Sequence, residues 1–147
     1  MRPTWDQYFL RIAREVASRS VCLRHQIGAV IVRNKRILTA GYNGPPAGLK
    51  HCEARGGCLR DRKKIPSGTR LDEDYALHAE ANALLQAALH GVSTDGATMY
   101  CTHGPCSLCA KLMINAGIKR VVSAKPYPND FAAQLLCEAG VKQEEHT

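Results

Sequence analysis

The stretch from Ala97 to Ser123, ATMYCTHGPCSLCAKLMINAGIKRVVS, decides the fold. It opens on a short apolar run, Ala97–Thr102, that reads as a strand. Pro105 suits the start of a helix, CSLCAKLMINAG carries it, and Gly117 ends it. Ile118–Ser123 (IKRVVS) is a second strand candidate. Strand, helix and strand in such close succession argue for parallel pairing, because parallel strands need a crossover of helix length. An α/β domain is expected, with helices packed on both faces of its sheet.

The flanking sequence extends that unit. His78–Gly91 (HAEANALLQAALHG) reads as a helix stopped by Gly91. Its residues Ala79, Ala81, Ala83, Leu84, Leu85, Ala87, Ala88 and Leu89 are apolar nearly all round, which predicts a buried helix. Ile27–Val32 and Arg36–Ala40 are short apolar runs with Arg33-Asn34-Lys35 between them, the pattern of a hairpin. Thr4 can cap a helix running to about Ser18, with Trp5, Tyr8, Phe9, Ile12, Ala13 and Val16 recurring at helical spacing. Beyond the central unit, Asn129–Ala139 reads as a further helix, followed by an edge segment near Val141. Between hairpin and helix lie 34 residues rich in Gly, Pro and charge, from Gly41 to Asp74. A loop that long in a compact domain is usually functional or held by something. No internal repeat or second domain is evident, so residues 1–147 read as one domain.

Bulk composition narrows the classes. At 147 residues and 45% hydrophobic, the chain can bury a core without disulfides and is not disordered. No apolar run approaches the roughly 20 residues of a membrane span, so no membrane partner is expected. The N-terminal MRPTWDQYFLRIAREV lacks the apolar centre of a secretory signal, and a cytoplasmic location is expected. The formal charge of +7 favours an anionic partner, a nucleotide phosphate or nucleic acid. The excess is scattered, with clusters at Arg60–Lys64 and around Arg33–Arg36 that read equally as a solvated surface, and nucleic acid is not expected. Seven cysteines, an odd number without an export signal, point to metal ligation or buried thiols.

Two segments carry chemistry: His78-Ala79-Glu80 and Pro105-Cys106-Ser107-Leu108-Cys109. Both fall at expected helix N-termini. Cys106 and Cys109, three apart, share one side of a helix and can share a metal. The positive end of the helix dipole favours the thiolates a metal needs. His78 can supply a third ligand, leaving a fourth tetrahedral position open, as in catalytic rather than structural zinc sites. Glu80 would lie beside that position, where a carboxylate can move protons from water to a ring nitrogen and a leaving amine. His-x-Glu with Pro-Cys-x-x-Cys is the recognised signature of zinc deaminases.

Over most of its length, from about Trp5 to Val141, the chain resembles the deoxycytidylate (dCMP) deaminases of the cytidine/deoxycytidylate deaminase superfamily. The segments that carry the resemblance are WDQYFLRIA, QIGAVIV, GYNGPPAG, HAEANAL, GATMYCTHGPCSLCAKLMINAGIKRVV and Tyr127. The resemblance implies a three-layer α/β/α fold around a central five-stranded mixed sheet. It implies a catalytic zinc on His78, Cys106 and Cys109, with Glu80 as proton shuttle. By the same resemblance the Ala79 backbone and Asn43 contact base and sugar, and Tyr127 lines the pocket. The implied reaction is dCMP plus water to dUMP plus ammonia, feeding dTTP synthesis, in a homo-oligomer expected to be a hexamer activated by dCTP and inhibited by dTTP.

Arg24, just before the first strand, could reach the mouth of the pocket and meet the phosphate, though an arginine at such a place is more often simply solvated. Asn43-Gly44 also suits a turn whatever its function. Some members of the family carry a second, structural zinc that ties the long loop to the core. Cys22, Cys52 and Cys58 are the candidates here, with His51 or Asp74 as a fourth ligand, and such a metal would offset the ordering cost of the loop. Cys101 and Cys137 are expected to fill the core. The rival functions are a bifunctional dCMP/dCTP deaminase, a deaminase of nucleosides or tRNA, and a catalytically inactive nucleotide-binding regulator on the same scaffold. Glu80 argues against the last, since a binder needs no proton shuttle.

Overall fold

The computed structural model describes residues 1–126 and 129–146. The first helix, α1 (Trp5–Ala17), is opened by Thr4, whose hydroxyl accepts from the Gln7 N–H at 3.2 Å while Gln7 Oε1 accepts from the Thr4 N–H at 2.9 Å. This reciprocal pair satisfies two donors that a helix start leaves open. Phe9, Leu10, Ala13 and Ala17 form its buried stripe, while Trp5 and Tyr8, expected on that stripe, are half-exposed at its edge.

The hairpin follows as β1 (Gly28–Arg33) and β2 (Arg36–Tyr42). Asn34 and Lys35 both have positive φ, 53° and 61°, the geometry that lets a two-residue turn match the twist of its strands. After the long loop, with a short helix α2 (Leu59–Arg62), come α3 (Ala79–His90), β3 (Thr98–Cys101), α4 (Ser107–Asn115), β4 (Arg120–Ser123), α5 (Asp130–Glu138) and β5 (Lys142–Glu145). The strands form one mixed sheet in the order β2-β1-β3-β4-β5, with β1 antiparallel to both neighbours and β3, β4 and β5 parallel. The expected parallel unit is therefore present. Its second strand is shorter than Ile118–Ser123, because the Ile118 N–H bonds to the Met113 carbonyl at 3.1 Å and closes the end of α4.

Helices cover both faces. On one, Phe9, Leu10 and Ala13 of α1 pack on Val30, Val32, Tyr100 and Val122. On the other, residues of α3, α4 and α5 pack on Ala29, Ile31, Met99 and Val121. Two glycines set how closely the layers approach. A Cβ at Gly28 would stand 2.1 Å from the Ala13 carbonyl oxygen of α1, and one at Gly41 would stand 2.4 Å from the Ala83 nitrogen of α3. Only hydrogen fits at either place.

Several expectations need correction. Helix α3 is not buried all round: Ala79, Ala83 and Ala87 seat it on the sheet, while Leu85 and Leu89 are 50% and 74% exposed. The small residues permit close packing and the leucines are left outward; Leu108 and Leu112 of α4 are exposed as well. Cys101 is buried as expected, but Cys137 is exposed. Arg60 is not part of a solvated basic cluster. It is 4% exposed, and its guanidinium donates to the carbonyls of Arg70 at 2.6 Å, Pro66 at 3.3 Å and Thr69. Arg24 adds a second tie to the same loop, donating to Asp61 Oδ1 at 2.6 Å and to the Ile65 carbonyl at 2.7 Å. Arg60→Met should therefore lower stability by about 2–3 kcal/mol and expose residues 59–74 to faster proteolysis, because several loop carbonyls lose a charged donor. Urea melts and limited digestion would check both effects.

A polar cluster ties α1 to the parallel strands. Arg120 of β4 donates to both Asp6 oxygens at 2.9 and 2.7 Å and also pairs with Glu144 of β5, and the Tyr100 hydroxyl donates to Asp6 at 2.7 Å. The hydrogen bonds from Arg120, opposed by burial and helped by Tyr100, hold the Asp6 carboxyl down at about 2. A folded-state value below the unfolded one contributes stability that is present above pH ~4 and lost as pH falls toward 2, here about 2 kcal/mol. Asp6→Asn should cost about that much at pH 7. The gap between variant and parent in urea melts should narrow steadily below pH 4.

Candidate metal and catalytic site

His78 and Cys106 are the residues immediately before α3 and α4, both extended, at ψ 152° and 172°. Each therefore stands at the positive end of a helix dipole. The His78 side chain makes no capping bond, which leaves its ring available. Its Nδ1 lies 3.3 Å from Cys106 Sγ and 3.4 Å from Cys109 Sγ, and the Cys109 N–H donates to Cys106 Sγ at 3.5 Å. Among the described residues this is the only group of three or more His, Cys, Asp or Glu whose donor atoms all lie within 4.8 Å of one another.

The donor set fits zinc. A tetrahedral ion with Zn–S near 2.3 Å and Zn–N near 2.0 Å sets neighbouring donors about 3.5 Å apart, close to the spacing here. The protonation pattern agrees. The Cys106 thiol is pulled down by the Cys109 hydrogen bond and by His78, against its burial, while the same bond and burial push Cys109 up. The His78 ring is raised by its hydrogen bond to Cys106. Two sulfurs and an imidazole are thus crowded around shared protons, a place a divalent cation can take.

Glu80, in the first turn of α3, is 4% exposed. Burial pushes its carboxyl up to about 7, opposed by the charge of His78. A buried carboxyl near neutrality can both take and give a proton. It shares a cleft of about 420 Å³ with His78, Cys106, Asn43, Arg24, His25 and His103.

The other sequence candidates are distributed as follows. Ala79 is fully buried beside Glu80, and its first-turn N–H has no acceptor within the helix. Asn43 lines the cleft, but its side chain cross-links the segment before β1, donating to the His25 carbonyl at 2.7 Å and accepting from the Ile27 N–H at 2.8 Å. Arg24 lines the cleft too, where its Nε donates to Asp61 Oδ1 and its Nη2 to the Ile65 carbonyl. Tyr127 lies outside the described residues. Cys22, Cys58 and Asp74 line the same cleft, and the Cys52 thiol is raised by burial and then by Cys58, Asp74 and Cys22. These four are neighbours without closing to ligating distances, and His51 is exposed. Sequence reasoning missed His25, Ser67 and His103 at the cleft. The one available signal was His103, three residues ahead of Cys106 in the motif-bearing segment.

Fold and site together define a three-layer α/β domain with a His-Cys-Cys cluster able to hold a metal beside a buried acid. The model of the cytidine and deoxycytidylate deaminase zinc-binding region matches residues 3–125. The chain belongs to this family. It is 44% identical over 147 residues to ComE operon protein 2 of Bacillus subtilis, covering 98% of this chain and 72% of that protein. It is 40% identical to the deoxycytidylate deaminase of Schizosaccharomyces pombe over 99% of this chain, which spans only 45% of that relative. The structure of the cyanophage S-TIM5 dCMP deaminase in complex with dCMP and dUMP superposes with a TM-score of 0.79 at 30% identity, over 99% of both chains.

Cys109→Ser should lower the metal content of purified protein by about one zinc per chain, since three protein ligands are few for an open site. Glu80→Gln should leave it unchanged. Elemental analysis of both variants beside the parent would check the assignment.

Proposed function

We propose that this chain hydrolyses dCMP to dUMP and ammonia as a zinc-dependent deaminase. The observation that carries this is Glu80: a buried carboxyl, titrating near 7, set beside three converging zinc donors. The substrate is proposed from the close likeness, over almost the whole of both chains, to a dCMP deaminase solved with dCMP and dUMP. When bound, zinc supplies a Lewis acid that makes water nucleophilic near neutral pH.

The residues of the chain do the rest. The Glu80 carboxylate accepts a proton from the attacking water and delivers it to the ring nitrogen next to the reacting carbon. It then carries the second proton to the departing amine, so one group serves as base and then as acid. The Ala79 N–H, unpaired within the helix, donates to the base. Asn43 contacts the sugar with its remaining donor while keeping the His25–Ile27 segment in place. His78, Cys106 and Cys109 hold the metal where Glu80 can reach the water.

The wider reading keeps the family pattern. dUMP feeds dTTP synthesis in the cytoplasm, dCTP activates, dTTP inhibits, and the chain forms a hexamer. The exposed leucines of α3 and α4 support self-association, since exposed apolar surface is what an interface covers. A second zinc among Cys22, Cys52, Cys58 and Asp74 or His51 would need the loop to draw these donors together.

Purified protein incubated with dCMP, dCTP, deoxycytidine and an adenosine-containing tRNA stem-loop should deaminate dCMP in preference to the others. Glu80→Gln should retain zinc and lose at least ~10³-fold in turnover. Turnover of a different substrate, with none of dCMP, would overturn the assignment, and full activity in the variant would overturn the mechanism.

A further inference from the structure

The walls of the cleft come from different parts of the molecule. His78 and Glu80 belong to the start of α3, whereas Asn43 belongs to the segment that leaves β2. The Asn82 side chain joins the two: its Nδ2 donates to the Tyr42 carbonyl at 2.8 Å, one residue ahead of Asn43. Asn82 is itself half-buried on α3 and stands outside the lining of the cleft. We propose that Asn82 is a positioning residue for the reaction, which holds the Asn43 wall of the cleft at a fixed distance from Glu80. This rests on the reading of the cleft as the deaminating site.

The bond closes a clamp whose other half is backbone. The Leu77 N–H donates to the Gly44 carbonyl at 2.7 Å, and the Gly44 N–H to the Leu77 carbonyl at 3.2 Å. Leu77 directly precedes His78, and Asn82 lies one turn beyond it, with its own N–H on the His78 carbonyl at 2.9 Å. Tyr42–Gly44 is thus fastened on both sides of the two residues that carry the chemistry, His78 and Glu80. Behind that segment, the Asn43 N–H donates to the Ile27 carbonyl at 3.2 Å, and its carbonyl accepts from the Ser20 hydroxyl at 2.8 Å. Its side chain bonds to His25 and Ile27 as well. A shift of Tyr42 would therefore carry Asn43 and the His25–Ile27 segment with it.

A directional bond is what this place lacks otherwise. Strand β2 is an edge strand with a neighbour on one side only, and Tyr42 is its last residue. Gly41, Ala79 and Ala83 set how close α3 comes to the sheet, but apolar contact has no preferred direction and leaves sliding along the strand unopposed. A hydrogen bond weakens steeply as its angle is bent, so the amide of Asn82 fixes that direction. The energetics separate this role from plain stability. A misplacement of about 1 Å can cost on the order of 100-fold in rate, whereas a half-exposed bond given up to water costs little in folding.

The test compares Asn82→Ala and Asn82→Asp with the parent. At neutral pH neither can donate to the Tyr42 carbonyl, and a carboxylate so early in a helix is favoured by the dipole, so Asn82→Asp should fold readily. Both variants should keep the parent's zinc content and lose about 10- to 100-fold in kcat on dCMP, with KM moving much less. Amide exchange followed by NMR needs no turnover, and it should quicken about tenfold at Asn43 and Gly44 while staying unchanged in the middle of α3. A lower urea midpoint with kcat per bound zinc unchanged would mean a purely structural role and would overturn the proposal. So would a loss confined to Asn82→Asp, which would be an effect of charge on Glu80, or unchanged exchange at Asn43 and Gly44. Should the parent turn over a substrate other than dCMP, the kcat comparison is made on that substrate. Failure of the dCMP reading then shows in the parent, and failure of the clamp only in the variants.

Discussion

The backbone of α3 lies against β2 with room for nothing larger than hydrogen at Gly41. A Cβ there would stand 2.4 Å from the Ala83 nitrogen and 2.6 Å from the Ala79 carbonyl oxygen. Gly41 is paired with Ala29 on β1, and both face Ala79 and Ala83 across a seam of small residues. The Thr39 hydroxyl adds a bond to the Ala83 carbonyl at 2.9 Å. This seam fixes the height of α3 above the sheet, and with it the positions of His78 just before the helix and Glu80 in its first turn. A helix seated on leucines would stand farther out, and its first residues would not meet α4 at the metal site. The leucines of α3 lie outward for the same reason.

Two helix N-termini then converge on one point, and their charges explain the chemistry there. Positive helix ends, a buried carboxyl and two thiols make a cluster in which every group perturbs the others. Burial raises Glu80, while Cys106 and Cys109 are split in opposite directions by the hydrogen bond they share. A structural ion pair would be expected to settle into fixed charges. Here the protons are poorly placed, which is the condition under which a metal can displace them and a carboxyl can pass one on.

Much of this was legible in the sequence because it depends on local patterns. Ala97–Ser123 gave the parallel unit through its two apolar runs and intervening Gly and Pro, and the His-x-Glu and Pro-Cys-x-x-Cys spacings gave the donor set. The failures share one physical cause, namely that partners distant in sequence cannot be seen from residue type. Arg60 reads as surface charge in Arg60–Lys64, yet it is the buried pin of its loop, because Pro66, Thr69 and Arg70 turn their carbonyls toward it. Leu85 and Leu89 read as core, yet the seam needs only alanines. His25 and Ser67, 42 residues apart in the chain, meet only once the loop has folded.

The long loop shows how the two ends of the cleft divide their work. At the inner end, His78, Glu80, Cys106 and Cys109 are held by helices seated on the sheet, so donor positions follow from packing. At the rim, Arg24, Ser67 and Arg60 belong to the segments before β1 and after β2, tied mainly by guanidinium-to-carbonyl bonds. An arginine bonded to several carbonyls can organise a loop without a hydrophobic core of its own, provided its charge is matched by enough oxygens. Ile65 and Cys58, both buried, show that the loop nevertheless gains some apolar cover. Chemistry that tolerates no displacement thus sits on the rigid layer. Groups that must let a ligand in and out sit on a tethered one, as expected where a scaffold supports recognition loops.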